Sequence, residues 1–242
     1  MGVVWGGFAA SAAVRAAAIG ASAVADRARR PATDAPPDVA SVSESKTKRA
    51  IDLMLATLAL IALAPLFVSV AIVVILDSGW PPLFSQGRVG LDGRPFRVWK
   101  FRTMIRDAES RRGELVAMNE APFPAFKMRR DPRITKAGRL LRRCSVDELP
   151  QLWNVLRGEM SIVGPRPPLP EEVTHYDAAA LRRLRARPGI TGMWQIENRH
   201  RLGETFEDWV ERDVEYIDRW TLWLDVVLMI KTVRAVARMT GQ

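Results

Sequence analysis

Asp147 and Glu148 are adjacent carboxylates at the head of an apolar repeat, Leu149, Leu152, Trp153 and Leu156, spaced as one face of a helix. Neighbouring residues at such a place point in different directions, so the two acids need not share one task. One can act as a nucleophile while the other holds Mg²⁺, which takes oxygen donors and few protein ligands. Carboxylate attack on a phosphate meets charge repulsion, which cationic side chains relieve while stabilising the transition-state charge. The sequence supplies them: Arg139, Arg142 and Arg143 fall at i, i+3 and i+4 just upstream. A lone basic face is usually solvated surface, but directly before two carboxylates a phosphate role is the stronger reading. Cys144 is a rival nucleophile by chemistry. Nothing beyond the arginines activates it, and it reads as a small buried residue.

Two helix starts compete here. Ser145 with Glu148 fits a capping box but puts Pro150 inside the helix, where it removes a hydrogen bond. Asp147 as N-cap puts Pro150 in the first turn, where a missing N–H costs little. The second is preferred, and it aims an ionised carboxylate and free backbone N–H groups at one spot where a phosphate is welcome. A loop at 158–164 then leads to Pro165-Arg166-Pro167-Pro168.

The elements around these residues follow from pattern. Residues 83–104 read as a hairpin turning at Asp92-Gly93, with Phe96, Val98, Lys100 and Arg102 on one face of the second strand. Residues 107–114 read as a charged helix and 119–131 as loop. Thr135 caps a short helix through Arg143. Residues 177–186 read as a basic helix stopped by Pro188-Gly189, and 190–196 as an apolar segment. Residues 204–217 are amphipathic, with Phe206, Trp209, Val210, Val214 and Ile217 as the stripe. Residues 220–239 are too short and too charged to span a membrane. Lying in the interface and packing as a core helix stand level.

The chain has 242 residues and a formal charge of +9, which points to phosphates, anionic lipid or nucleic acid as partners. A single cysteine allows no internal disulfide, and two isolated histidines give a zinc cluster or a Ser-His-Asp triad little to build from. Eight tryptophans suit a membrane interface, although Trp153 reads as core. Residues 53–76 form the long apolar stretch, about 36 Å as a straight helix and long enough to cross a bilayer. Basic residues flank both ends: Lys46, Lys48 and Arg49 before, then Arg88, Arg94, Arg97, Lys100 and Arg102 after. Positive residues stay cytoplasmic, so charge favours a segment that enters and leaves by one face, bent at Pro65. Residues 1–30 lack the basic start of a signal peptide, leaving a membrane-touching helix or disorder, and 31–45 read as a linker.

In combination, five motifs make the chain resemble the bacterial sugar transferases, the monotopic phosphoglycosyl transferases that start glycan assembly on polyprenyl phosphate. They are the basic flank with its Pro-broken apolar helix, Lys100-Phe101-Arg102-Thr103-Met104, residues 145–152, residues 158–167, and residues 187–192. The likeness runs from about Lys46 to the C-terminal region. It implies that Asp147 attacks the β-phosphate of a UDP-sugar and expels UMP, giving a phosphosugar-aspartyl enzyme that polyprenyl phosphate then attacks. It implies that Glu148 holds Mg²⁺. It places phosphate and uridine binding on Lys100, Arg102, Arg142 and Arg166, and more weakly on Asp213, and it implies a re-entrant first helix. Ala64 stands where a Ser often precedes the bend proline, and Met193 where an aromatic is frequent.

The expectation is thus a mostly helical α/β protein. Residues 1–45 form an extension and linker, 46–80 a re-entrant membrane helix, and 81–242 a catalytic domain with a small β-hairpin and interfacial helices. Its place is the bacterial inner membrane, facing the cytoplasm. Its partners are a UDP-sugar, undecaprenyl phosphate and the membrane, without nucleic acid and with homodimerisation open. Two rivals are a membrane-surface adaptor without catalysis and a transferase that spans the membrane twice.

Overall fold

The computed structural model describes residues 42–124, 126, 128, 130–197 and 205–238. The readings of residues 1–30 and 31–41 lie outside these. Helix α1 (Lys46–Ala62) starts at Ser45, whose hydroxyl accepts the Lys48 N–H at 3.2 Å. Helix α2 (Ala64–Ser78) follows at a bend of 63°. Leu63 is the break, and Pro65 sits in the first turn of α2, where no intrahelical N–H is required. No single described helix is long and apolar enough to cross a membrane, and the bent pair taken together has the length and composition alone to do so. Its outer side exposes Ile61, Val68 and Leu76 at 69%, 62% and 82%. On the inner side Ala56 packs with Val98, Leu152, Val155 and Met160, and Val70 and Val74 with Phe101 and Leu141.

Strands β1 (Leu83–Val89) and β2 (Pro95–Phe101) pair antiparallel, Val89 opposite Pro95. Asp92 and Gly93 both take positive φ (53° and 76°), and the Arg94 N–H closes on Leu91 O at 3.1 Å, the turn that an Asp-Gly pair favours. Next come the short helix α3 (Arg112–Leu115), where a longer charged helix was expected, and α4 (Lys136–Arg143), capped as expected by Thr135.

Helix α5 (Gln151–Leu156) begins after Pro150, so Asp147 is not its N-cap. Asp147 lies instead in a 3₁₀ turn, Val146–Glu148, entered through Ser145 at φ 54°. The N–H groups of Glu148, Leu149, Leu152 and Trp153 bond carbonyls three residues back. They are therefore not free to receive a phosphate. Trp153, read as core, is 52% exposed.

A second sheet escaped the sequence reading. Strand β3 (Ser161–Val163) pairs in parallel with β4 (Gly189–Thr191), where a loop and part of one apolar segment were expected. Three-residue strands leave no alternation to detect. Between them lie α6 (Pro170–Val173) and α7 (Ala178–Leu181), the latter passing into a 3₁₀ turn at Arg182–Arg185. The chain ends through α8 (Met193–Glu197), α9 (Phe206–Asp218) and α10 (Leu222–Ala237). A Thr205–Asp208 capping box starts α9, which buries Trp209, Val210 and Tyr216. Helix α10 packs one face into the core, with Asp225 and Leu228 buried, and leaves the other open, with Trp223 and Val233 exposed at 72% and 68%.

One polar cluster ties the first helix to the last. Lys48 Nζ donates to Asp225 Oδ2 at 2.7 Å and to Val163 O at 3.1 Å. Tyr216 Oη donates to Asp225 Oδ1 at 2.8 Å, and Trp220 Nε1 to Oδ2 at 3.1 Å. The bent helices are thereby fixed to the domain that carries the carboxylate pair.

Candidate active site

The carboxylates owe their position to a close backbone contact. A Cβ on Gly138 would stand 2.1 Å from Thr103 O, so only glycine lets α4 press against the chain leaving β2. The Thr135 N–H bonds the same carbonyl at 3.0 Å, and the contact brings Arg142 Nε to Thr103 Oγ1 at 2.9 Å. The left-handed Ser145 then turns the chain so that Asp147 is buried at 6% exposed. Glu148 stays half-exposed, and its Oε1 accepts from Lys100 Nζ at 2.6 Å. Burial and the Glu148 charge push the Asp147 carboxyl up to about 6, against the pull of Lys100, Arg142 and its own backbone N–H. Burial lowers Arg142 in turn, opposed by Asp147, Asp131 and Glu148. Four of the expected residues thus share one electrostatic neighbourhood: Asp147, Glu148, Lys100 and Arg142.

Arg166 Nη1 lies 3.7 Å from Glu172 Oε1. Glu172 is 2% exposed, and its Oε2 accepts the Leu169 N–H at 2.9 Å. Arg88 feels the charges of this pair and of Glu148 alike: burial and Arg166 push it down to about 10, with Glu172 and Glu148 opposing. Its Nη1 donates to Pro167 O at 3.0 Å. The sequence reading counted Arg88 only as a flank of the apolar stretch. The two residues lie 79 apart in the chain, so no local spacing marks the contact.

The profile of the family described as "Bacterial sugar transferase" matches residues 43–239, most of the chain. The chain belongs to the bacterial sugar transferase family. It is similar to the exopolysaccharide production protein ExoY of Sinorhizobium fredii, 42% identical over 199 residues, 81% of this chain and 87% of that protein. It is also similar to the galactosyl transferase CpsE of Streptococcus agalactiae, 46% identical over 167 residues, 69% of this chain. The undecaprenyl-phosphate glucose phosphotransferase of Komagataeibacter xylinus is 43% identical over 200 residues, 77% of this chain. The chain spans 37% of the second protein's length and 35% of the third's.

Two residues expected in substrate binding in this bacterial sugar transferase have their polar groups engaged within the fold. The Arg102 guanidinium donates to Gly79 O and Pro81 O, and its backbone N–H to Pro82 O at 2.8 Å. Strand alternation would put Arg102 beside Lys100, but β2 ends at Phe101 and the next side chain fastens the end of α2. Asp213 is 1% exposed and accepts from Arg183 Nε at 2.9 Å and from the Arg166 backbone N–H. Arg183 also donates to Tyr176 Oη at 3.0 Å. Asp213 thus meets Arg166 through both its main-chain N–H and its charge. The cationic face of α4 divides, with Arg142 turned inward while Arg139 and Arg143 remain exposed. Cys144 is half-buried, not buried.

Among the described residues no group of three or more His, Cys, Asp or Glu could hold a metal ion. Mg²⁺ does not need one, since it keeps several waters and takes one or two carboxylates plus substrate phosphates. The partly exposed Glu148 suits that mode, because its charge already opposes ionisation of Asp147 and a cation there would relieve it.

Proposed function

We propose that this protein transfers a sugar 1-phosphate from a UDP-sugar to undecaprenyl phosphate at the cytoplasmic face of the bacterial inner membrane. That would be the first membrane step of exopolysaccharide, O-antigen or glycoconjugate assembly. The name of the Komagataeibacter xylinus phosphotransferase supports undecaprenyl phosphate as acceptor, and that of the UDP-glucose:undecaprenyl-phosphate glucose-1-phosphate transferase of Caulobacter vibrioides supports a UDP-sugar as donor. The observation that carries the mechanism is Asp147 itself: a buried carboxylate, raised to about 6, beside Lys100 and Arg142. At neutral pH it is mostly ionised, yet more basic than an ordinary carboxylate and so a better nucleophile.

In the first step an Asp147 oxygen attacks the β-phosphorus. The bond from that phosphorus to the bridging oxygen breaks, and UMP leaves with the electron pair. In the second step a lipid phosphate oxygen attacks the same phosphorus and the Asp147 carboxylate departs, leaving polyprenyl-diphosphate-sugar. Neither step requires a proton on Asp147. Lys100 and Arg142 offset the charge that builds on the phosphoryl oxygens, and Arg166 serves the second anionic group. Mg²⁺, held by Glu148, would neutralise charge on the diphosphate. The exposed apolar side of the bent helices, with Trp80 and Trp223 exposed at 68% and 72%, suits insertion into one leaflet with tryptophans at the interface.

The test is to incubate the purified protein with Mg²⁺, undecaprenyl phosphate and a panel of UDP-sugars, and to measure UMP. Omitting the lipid should leave a sugar-phosphate adduct on Asp147, visible by mass spectrometry. Turnover without any such adduct, or full turnover by Asp147→Asn, would exclude the covalent route.

A further inference from the structure

The loop at 164–168 carries Arg166, yet its three prolines lack the N–H groups with which a loop ties itself down. It is held from outside. The Gly164 N–H bonds Thr191 O at 2.9 Å, and Pro165 O accepts the Gly189 N–H at 2.9 Å. Pro168 O accepts the Val89 N–H at 3.0 Å, and Pro167 O accepts Arg88 Nη1 at 3.0 Å. Of these four donors Arg88 alone is a charged side chain. Its other terminal nitrogen donates to Gln86 Oε1 at 2.8 Å, so the planar fork spans strand and loop together. A neutral amide would hold one carbonyl at lower desolvation cost. A guanidinium at this point must also answer to charge, and its charged neighbours are Arg166, Glu172 and Glu148.

We propose that Arg88 is a positioning residue of the transfer site. It fixes the 164–168 loop to the end of β1 and so sets the separation between the Arg166 guanidinium and the Glu148 end of the carboxylate pair. Its kinetic consequence rests on the transferase reading, whereas its hold on the loop does not.

The test uses Arg88→Lys, which keeps the charge but cannot reach Pro167 and Gln86 together. Hydrogen exchange at the Gly164, Arg166 and Leu169 amides should quicken roughly tenfold or more, with the Trp99 amide in β2 unchanged. UMP release should fall roughly ten- to a hundredfold when Arg166 is present. In an Arg166→Ala background the same change should cost less than about twofold, because the group being positioned is gone. Should Arg88→Lys fail to fold, Gln86→Leu removes the fork's other anchor and should give the same pattern at smaller size. Unchanged exchange in the loop, or two losses that multiply independently, overturns the proposal. A wild-type protein that releases no UMP from any UDP-sugar sinks the transfer reading, while the exchange measurement still decides the role of Arg88.

Discussion

Asp147 and Asp225 are buried alike, at 6% and 5% exposed, and are treated oppositely by their surroundings. Asp225 accepts from three side chains, Lys48, Tyr216 and Trp220. Among the described residues no side chain is seen to donate a hydrogen bond to Asp147, which has cations nearby and a second carboxylate beside it. A buried charge with all its hydrogen bonds made holds a structure in place. One left short of partners in a basic pocket is costly to the fold, and that cost is what a reacting group carries. The difference separates the brace of this molecule from its candidate site.

The largest effect should follow from removing that incomplete carboxylate. Asp147→Asn should lower UMP release by at least roughly a thousandfold. It should also stabilise the protein. The folded value of Asp147, about 6, lies above its ordinary 3.8. Folding therefore favours the protonated form, and the resulting penalty is absent below about pH 4, grows as pH rises, and is complete above about 6. The variant escapes a penalty of at most about 3 kcal/mol, so its Tm should exceed the wild type's by several degrees at pH 7.5 and match it at pH 4. A variant less stable at pH 7.5 would show that Asp147 is satisfied after all.

The converse holds at the brace. Asp225→Ala leaves the Lys48 ammonium buried without its partner, which should cost about 3–5 kcal/mol and lower the Tm by roughly 10 °C. UMP release per folded molecule should stay within about twofold, since no Asp225 atom bonds a residue of the carboxylate group. A large kinetic loss in fully folded protein would mean that the brace and the site are not separate.

The grouping of the candidate site was more legible in the sequence than the brace, for a physical reason. Asp147, Glu148 and Arg142 lie within one short stretch, and Lys100 stands on a strand whose turn is written as Asp92-Gly93. Local chemistry and period reach them. Lys48 and Asp225 meet across 177 residues, and a basic flank and an acid in an apolar helix carry no sign of each other. Arg88 and Pro167 pose the same difficulty. Where pattern did mislead, local geometry intervened. Ser145 took the left-handed conformation in place of a cap, and Arg102 fell one residue past the end of β2. The parallel strands β3 and β4 were too short to show a period. The bend was placed one or two residues late, because Pro65 ends up inside the first turn of α2, after the break at Leu63.

The smallest expected effect is also the finest test of what sets Asp147 apart. Its raised value has two causes, burial first and the Glu148 charge second. At limiting Mg²⁺, where the free enzyme carries no cation, the acid limb of kcat/KM for UMP release should therefore lie near pH 6, because protonation removes the proposed nucleophile, and the apparent value belongs to the pair. Glu148→Gln takes away the like charge but leaves the burial. The rate should fall, since Glu148 also serves the proposed Mg²⁺ site, and the limb of the remaining activity should move down by roughly 0.5–1 unit. It should not return to the ordinary carboxylate range, because the pocket is no more open than before. A limb that stays near 6 would leave burial as the sole cause and Glu148 without influence on its neighbour's charge. One that moved up would mean that the freed Lys100 no longer stabilises the Asp147 anion, and that the Lys100–Glu148 pair acts on Asp147 as a unit.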